Sequence, residues 1–293
     1  SAGALKWWYL DSPSFKAFRL ELSNSILNTR TRAGVMGGVS VRELVFVLLT
    51  VCSLSAKEPK KLDMAPDAVD DAFSQCRDKM LISVTEPDGL LQKELNASKE
   101  FREMWSKYSG VCWKNIPGGT SYHFDALQAY ANSDAKFRKT FNELVYSKGS
   151  NSTTYREKFP FKSLHFLLTD ALRLLNRSNL CKTVFYATSN VYTAKPGNEV
   201  RFGKFIKAIL TLSSETEVVE VEGGGTLFNI TSCSVVNVEE ITCKSEEVQC
   251  LISPTEVFKV QKVRDVKSED ATYKEITLTH SRFLSRHTCS FFH

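Results

Sequence analysis

The chain has 293 residues, of which 42% are hydrophobic and 24% charged, with a formal net charge of +5. These values are ordinary for a soluble globular protein and leave room for one large domain, or two small ones, with a substantial core. They point away from a nucleic-acid binder: residues 1–56 hold six Lys/Arg against three Asp/Glu, which is +3 of the total and leaves +2 for the rest. No basic stripe with interleaved aromatics accompanies that surplus.

The first informative segment is Leu44 to Ala56, the strongest apolar run in the chain. It is too short to span a bilayer comfortably, and Arg42 precedes it. Ser53, Ser55 and Ala56 end it before Lys57-Glu58, and Met36 lies just upstream. That is the form of a secretory signal with its cleavage site. The expected division is a gene-model extension over residues 1–35, a signal peptide over 36–56 and a single domain over 57–293. A buried core helix is the competing reading of the same run, with Glu43 in its favour. Seven of the eight Cys follow the cleavage site, in no CxxC or Cys/His pattern. Disulfides are therefore expected, and no metal site. Four N-x-S/T sequons begin at Asn96, Asn151, Asn176 and Asn229, and all lie beyond the signal. Together these features imply a glycosylated extracellular or luminal protein with no transmembrane span.

From about Leu62 to Arg177 the pattern is helical. Phe161, Leu164, His165, Leu168, Leu172 and Leu175 fall on one face at steps of three and four. Earlier helices are expected near Ala68–Ile82, Lys93–Tyr108 and Asp134–Tyr146. Turn clusters punctuate them at Pro87–Gly89, Pro117–Gly119 and Gly149–Ser152. From Cys181 onward, short β-branched runs follow: Thr183–Tyr186, Thr226–Ile230, Ser234–Val238 and Val257–Val263. Helices first and strands afterwards predict an α+β fold.

Several strings then coincide in order: Leu62-Asp63-Met64-Ala65-Pro66, Phe161 to Thr169, Arg201-Phe202-Gly203, Thr226 to Cys233, and Leu251-Ile252 with Pro254 and Glu256-Val257-Phe258. The series resembles the vertebrate ecto-ADP-ribosyltransferases, the arginine-specific mono-ADP-ribosyltransferases of cell surfaces and secretions. The likeness runs from about Leu62 to Cys289. It implies N-terminal helices followed by two roughly perpendicular small sheets flanking an NAD cleft. It also implies the disulfides Cys76–Cys289 and Cys181–Cys233. Cys112, Cys243 and Cys250 remain as an odd set, in which Cys243 and Cys250 can pair and leave Cys112 free or intermolecular.

The family cleaves the nicotinamide–ribose bond of NAD and passes ADP-ribose to arginine. A ribose with oxocarbenium character calls for a cation on the pyrophosphate, a hydroxyl that orients the site and a carboxylate beside the developing charge. By resemblance these come from an Arg on a strand, a Ser after the Arg-Phe-Gly string and the second Glu of a Glu-x-Glu turn. Here Tyr186 stands at the Arg position, the serines after Arg201-Phe202-Gly203 are absent, and the turn reads Glu247-Val248-Gln249. Glu247 keeps the directing position and Gln249 replaces the catalytic Glu. A one- or two-residue slip would instead make Glu247 catalytic, with Ser245 as its partner. Lys207 is a candidate source of the missing phosphate charge.

Two functions follow. One is an NAD(P)(+)–protein-arginine ADP-ribosyltransferase, a glycosyltransferase, impaired by the three changes, with NAD as substrate and extracellular or cell-surface protein arginines as acceptors. The other is a catalytically inactive binding or decoy module on the same fold. Slow NAD hydrolysis without transfer is a weaker third. A freely secreted protein is expected, or a lipid-anchored one if the sequence continues past His293. Among the remaining residues, His165 reads as a core or cleft-lining histidine, Arg201 equally as a cleft residue or a strand-edge clamp, and Asp70-Asp71 as the acidic start of a helix.

Overall fold

The structure is a computed structural model and describes residues 58–177, 180–212, 224–243, 248–267 and 272–293. The apolar run Leu44–Ala56 lies outside them. Seven described helices come first: α1 (Arg77–Thr85), α2 (Leu90–Ala97), α3 (Lys99–Tyr108), α4 (Ser121–Asn132), α5 (Ala135–Ser147), α6 (Ser152–Lys158) and α7 (Lys162–Leu175). Apart from β1 (Lys60–Lys61), the strands follow: β2 (Lys182–Thr188), β3 (Tyr192–Thr193), β4 (Glu199–Arg201), β5 (Ile206–Ala208), β6 (Thr226–Ser232), β7 (Val236–Asn237), β8 (Cys250–Ile252), β9 (Glu256–Lys267) and β10 (Thr272–Phe283). The fold is α+β, as the sequence implies.

Local chemistry sets the helix starts. Ser98 accepts from Phe101 N at 3.2 Å, Asp134 from Phe137 N at 2.7 Å and Asn151 from Thr154 N at 2.8 Å, each filling an orphan donor of the first turn. Ser98 also divides the helix expected over Lys93–Tyr108 into α2 and α3. α7 departs from a one-face pattern, since every residue from Lys162 to Leu172 is buried. Its N-terminus is capped from α2: Glu94 accepts from Lys162 N, Ser163 N and Ser163 Oγ. α4 is also buried nearly all round, so it carries no single apolar stripe and no periodic signal.

The five-stranded sheet runs β2-β6-β10-β9-β4, with only β6 and β10 parallel, and the three-stranded sheet runs β5-β8-β7. A third pair, β1 with β3, is parallel. Strand alternation makes the small sheet a middle layer. Phe205, Val236 and Leu251 pack on the helices, while Ile206, Ala208, Cys250 and Ile252 pack on the large sheet through Phe228, Phe258 and Ile276. The two sheets also meet at one backbone bridge, where Phe185 and Ile209 exchange N–H···O bonds of 2.9 Å in each direction.

The helix expected over Ala68–Ile82 begins instead at Arg77. Asp70 and Asp71 do not open a helix, because their carboxylates bind distant groups. Asp70 takes Arg201 Nη1 at 2.6 Å, Arg286 N at 2.9 Å and His287 N at 3.0 Å. Asp71 takes Phe73 N at 2.8 Å, with Phe73 at φ 55°, and Ser290 N at 2.9 Å. Both carboxylates thus fix the segment before α1 against the chain's last residues, where Cys76–Cys289 closes the same junction.

Cys181–Cys233 forms as the resemblance implies. The third bridge corrects an expectation: Cys243 pairs with Cys112, and Cys250 is a buried free thiol. Cys250 faces the core between the sheets. Cys243 and Cys112 lie on the helical side, where Gln128 Oε1 accepts from Cys243 N at 3.0 Å.

Two stability predictions follow. Arg201 and Asp70 are both fully buried, so Arg201→Met, which strands the carboxylate, should lower the unfolding free energy in urea by about 3–5 kcal/mol; a loss below about 1 kcal/mol would contradict the assignment. His165 is wholly buried, and burial holds its pKa down, from 6.5 to about 4. Its contribution is complete above pH 6.5 and is lost as the pH falls towards 4, because the unfolded chain binds the proton first. His165→Met should therefore remove about 3 kcal/mol of the wild-type stability loss over that window, read from urea melts at pH 7 and pH 4.

Candidate active site

A cavity of about 810 Å³ is walled by β1, α5, the end of β2 and the turn from Arg201 to Lys207. That volume is in the range of ligand sites. The turn is set by Gly203, whose φ is +63° and where a Cβ would stand 2.4 Å from Ala65 Cβ and 2.9 Å from Ala68 Cβ. No side chain fits there, which ties the Arg-Phe-Gly string to the Leu62–Pro66 string although they are far apart in sequence.

Arg201 closes the same junction from inside. Besides Asp70, its guanidinium donates to Met64 O, Ala65 O and Leu284 O at 2.8–3.2 Å. It lines the cavity with its charge neutralised and every guanidinium nitrogen engaged by protein. Phe202 is the aromatic joint of the floor, edge-on to Tyr186, Phe228 and Phe258 with centroids 5.2–5.9 Å apart.

The far side of the turn is held by Asn142 of α5. Its Nδ2 donates to Phe205 O at 3.0 Å and its Oδ1 accepts from Phe205 N at 3.0 Å. The same amide donates to Tyr130 Oη at 3.0 Å, and burial pushes that phenol up to about 12. Asn142 therefore fixes the wall that carries Lys204 and Lys207. Nothing in its local sequence marks it, because the pairing spans 63 positions.

The residues singled out by the resemblance, and the candidate cation Lys207, are placed as follows. Tyr186 lies in β2 and stacks on Phe228, with centroids 5.6 Å apart and planes within 9°. Lys207 lies in β5 opposite Leu251, and Tyr186 and Lys207 both line the cavity. Gln249 lies just before β8, off the cavity lining, and links two segments: its Oε1 accepts from Leu210 N at 2.7 Å and its Nε2 donates to Glu239 Oε2 at 3.0 Å. Leu210 follows the residue bridged to Phe185, so Gln249 sits one strand away from Tyr186. Glu247 and Ser245 lie outside the described residues.

The other expected sites are also located. Asn96 and Asn151 are exposed. Asn176 is half-buried and donates to Cys233 O at 2.8 Å, while Asn229 is half-buried in β6, between β2 and β10. His165 lies in the core between Phe73, Phe159 and Phe205. Cys233, Glu256 and His280 crowd together within 4.8 Å. Cys233 is in a disulfide, however, and Glu256 accepts from Ser232 Oγ, Ser234 Oγ and Cys233 N. The cluster is the hydrogen-bond shell of a buried carboxylate, with His280 Nδ1 2.8 Å from it.

Comparisons with known proteins identify the family. The family described as NAD:arginine ADP-ribosyltransferase matches residues 62–282. The chain is 31% identical to ecto-ADP-ribosyltransferase 5 of Rattus norvegicus, over 78% of this chain and 76% of the relative. It is also 31% identical to the GPI-linked NAD(P)(+)–arginine ADP-ribosyltransferase 1 of Mus musculus, over 78% and 71%. Among solved structures it resembles the eucaryotic mono-ADP-ribosyltransferase ART2.2 at a TM-score of 0.63 and 30% identity, over 79% of this chain and 99% of that one. A variant of the same protein, solved with NADH, matches at a TM-score of 0.62. On sequence and fold together, the chain belongs to the NAD:arginine ADP-ribosyltransferases, among the ecto-ADP-ribosyltransferases.

Proposed function

We propose that this protein is a secreted ecto-ADP-ribosyltransferase that accepts NAD in the cavity between β1, α5 and the Arg201–Lys207 turn and transfers ADP-ribose to arginine at a greatly reduced rate. Membership of the family, and the NADH complex of a relative, support the substrate. Extracellular action is supported by three disulfides and by relatives named as ecto-enzymes. The acceptors would be arginines of extracellular or cell-surface proteins.

The impairment rests on Gln249. A neutral amide cannot stabilise an oxocarbenium-like ribose as a carboxylate can, and losing one such group costs on the order of 10²–10³ in rate. The amide also fits its surroundings. It donates to the exposed Glu239 at 3.0 Å and accepts from Leu210 N, a pair of roles that an ionised carboxylate cannot fill. A Glu at 249 would bring two carboxylates together and raise the pKa of one of them. The stacked Tyr186, in place of a cation that could form a forked phosphate contact, favours the inactive binding module as the second reading.

This yields a paired test. Nicotinamide release from NAD by the purified protein should be at least about 10²-fold slower than that of an active relative. Gln249→Glu alone should stay slow, because Glu239 opposes it, whereas Gln249→Glu with Glu239→Gln should release nicotinamide faster than either single variant. Wild-type turnover equal to the relative's, or no gain in the double variant, would overturn the reading of Gln249.

A further inference from the structure

The cavity that lost its expected cation on β2 is nonetheless strongly basic. Seven Lys/Arg line it against two acids, Asp63 and Glu143. Some of that charge is engaged: Arg201 by Asp70, Lys139 by Glu143 at 3.9 Å, and Arg138 by the carbonyls of Ala131 and Ser133. Lys60, Lys61 and Lys204 form no ion pair among the described residues. Lys60 is held in β1 opposite Tyr192, and Lys204 follows Gly203 in the turn that Asn142 pins to α5. Lys60 and Lys204 thus line one cavity from two separate segments, together with the aromatic residues Tyr186, Tyr192 and Phe202.

We propose that Lys60 and Lys204 form a diphosphate clamp, so that the cavity binds the nucleoside diphosphate moiety of its ligand. The proposal rests on this cavity being the nucleotide cleft and assigns the residues that replace the lost cation. Burial, and next the neighbouring charge of Lys60, hold the Lys204 amine below its ordinary pKa, against a smaller opposing pull from Glu143. Like charges kept close in a partly desolvated wall weaken the free protein, and an anion between them relieves the repulsion. Each ammonium offers three donors as a point charge, which suits adjacent phosphates without demanding the planar fork of Arg. Tyr186, stacked on Phe228, then contributes a flat apolar surface in place of a charge. The recognised feature is therefore the diphosphate: ADP and ADP-ribose qualify as well as NAD, and a monophosphate does not.

Calorimetric titration of the mature protein with ADP, ADP-ribose, AMP and NAD tests this, using Lys60→Met and Lys204→Met, which keep the apolar stems and remove the charges. ADP, ADP-ribose and NAD should bind with similar affinity and AMP about 10-fold or more weakly, each lost charge-assisted contact being worth about that factor. Each Met variant should weaken ADP about 10-fold, and Lys204→Met should leave the melting temperature of the free protein unchanged or raised. AMP binding as tightly as ADP, or ADP affinity unchanged in both variants, would overturn the clamp. NAD binding that ignores both substitutions would overturn the clamp while sparing the nucleotide cleft. No binding of either ADP or NAD to the wild type would overturn both.

Discussion

The architecture depends on one buried ion pair. Arg201 and Asp70 meet at 2.6 Å with no solvent exposure, and the remaining guanidinium donors close on Met64 O, Ala65 O and Leu284 O. Burying two charges is unfavourable unless every donor and acceptor is matched. Here the matching partners come from four separate parts of the chain: the Leu62–Pro66 string, Asp70, β4 and the segment after β10. A guanidinium is suited to this role because its five donors lie in fixed directions. The consequence is a single rigid junction on which the Arg201–Lys207 turn is mounted. Gly203 then lets that turn lie directly against Ala65 and Ala68, and Asn142 secures its other end.

A second layer of constraint passes through the small sheet. β8 presents Leu251 to the helices and Cys250 and Ile252 to the large sheet, so its alternation connects two cores. The Phe185–Ile209 bridge and the side chain of Gln249 extend that connection to the rim of the site. Gln249 thereby holds the end of β5 and the turn near Glu239 together. On the proposed reading, the residue at the family's catalytic position serves in this chain as a structural cross-link. The cavity walled by β1, α5 and the Arg201–Lys207 turn combines aromatic surface with positive charge, the features on which the proposed nucleotide binding rests.

Much of this was legible in the sequence, for identifiable reasons. The order of helices before strands is a local property, so fold class followed from periodicity. The pairs Cys76–Cys289 and Cys181–Cys233 came from the family resemblance. Departures arose where distant partners overrule local preference. Asp70 and Asp71 read as a helix start but bind Arg201, Arg286 N, His287 N and Ser290 N, and α1 begins later. Cys112 finds Cys243 across 131 positions, a pairing that spacing does not encode. Asn142, Lys60 and Lys204 carried no signal because their significance lies in what the fold brings opposite them. Arg201 read equally as clamp or cleft residue, and in the structure one side chain lines the cleft while clamping the chain.

On the proposed function, holding NAD and consuming it are separable properties of the cavity, and one measurement addresses both. Equilibrium dialysis of the purified protein against NAD labelled in the nicotinamide ring reports bound ligand and released product from the same sample. Saturable binding is expected, with the bound label remaining intact NAD and nicotinamide accumulating far more slowly than with an active relative. Nicotinamide released at the relative's rate, or no saturable binding at all, would contradict a cleft that holds NAD without efficiently cleaving it.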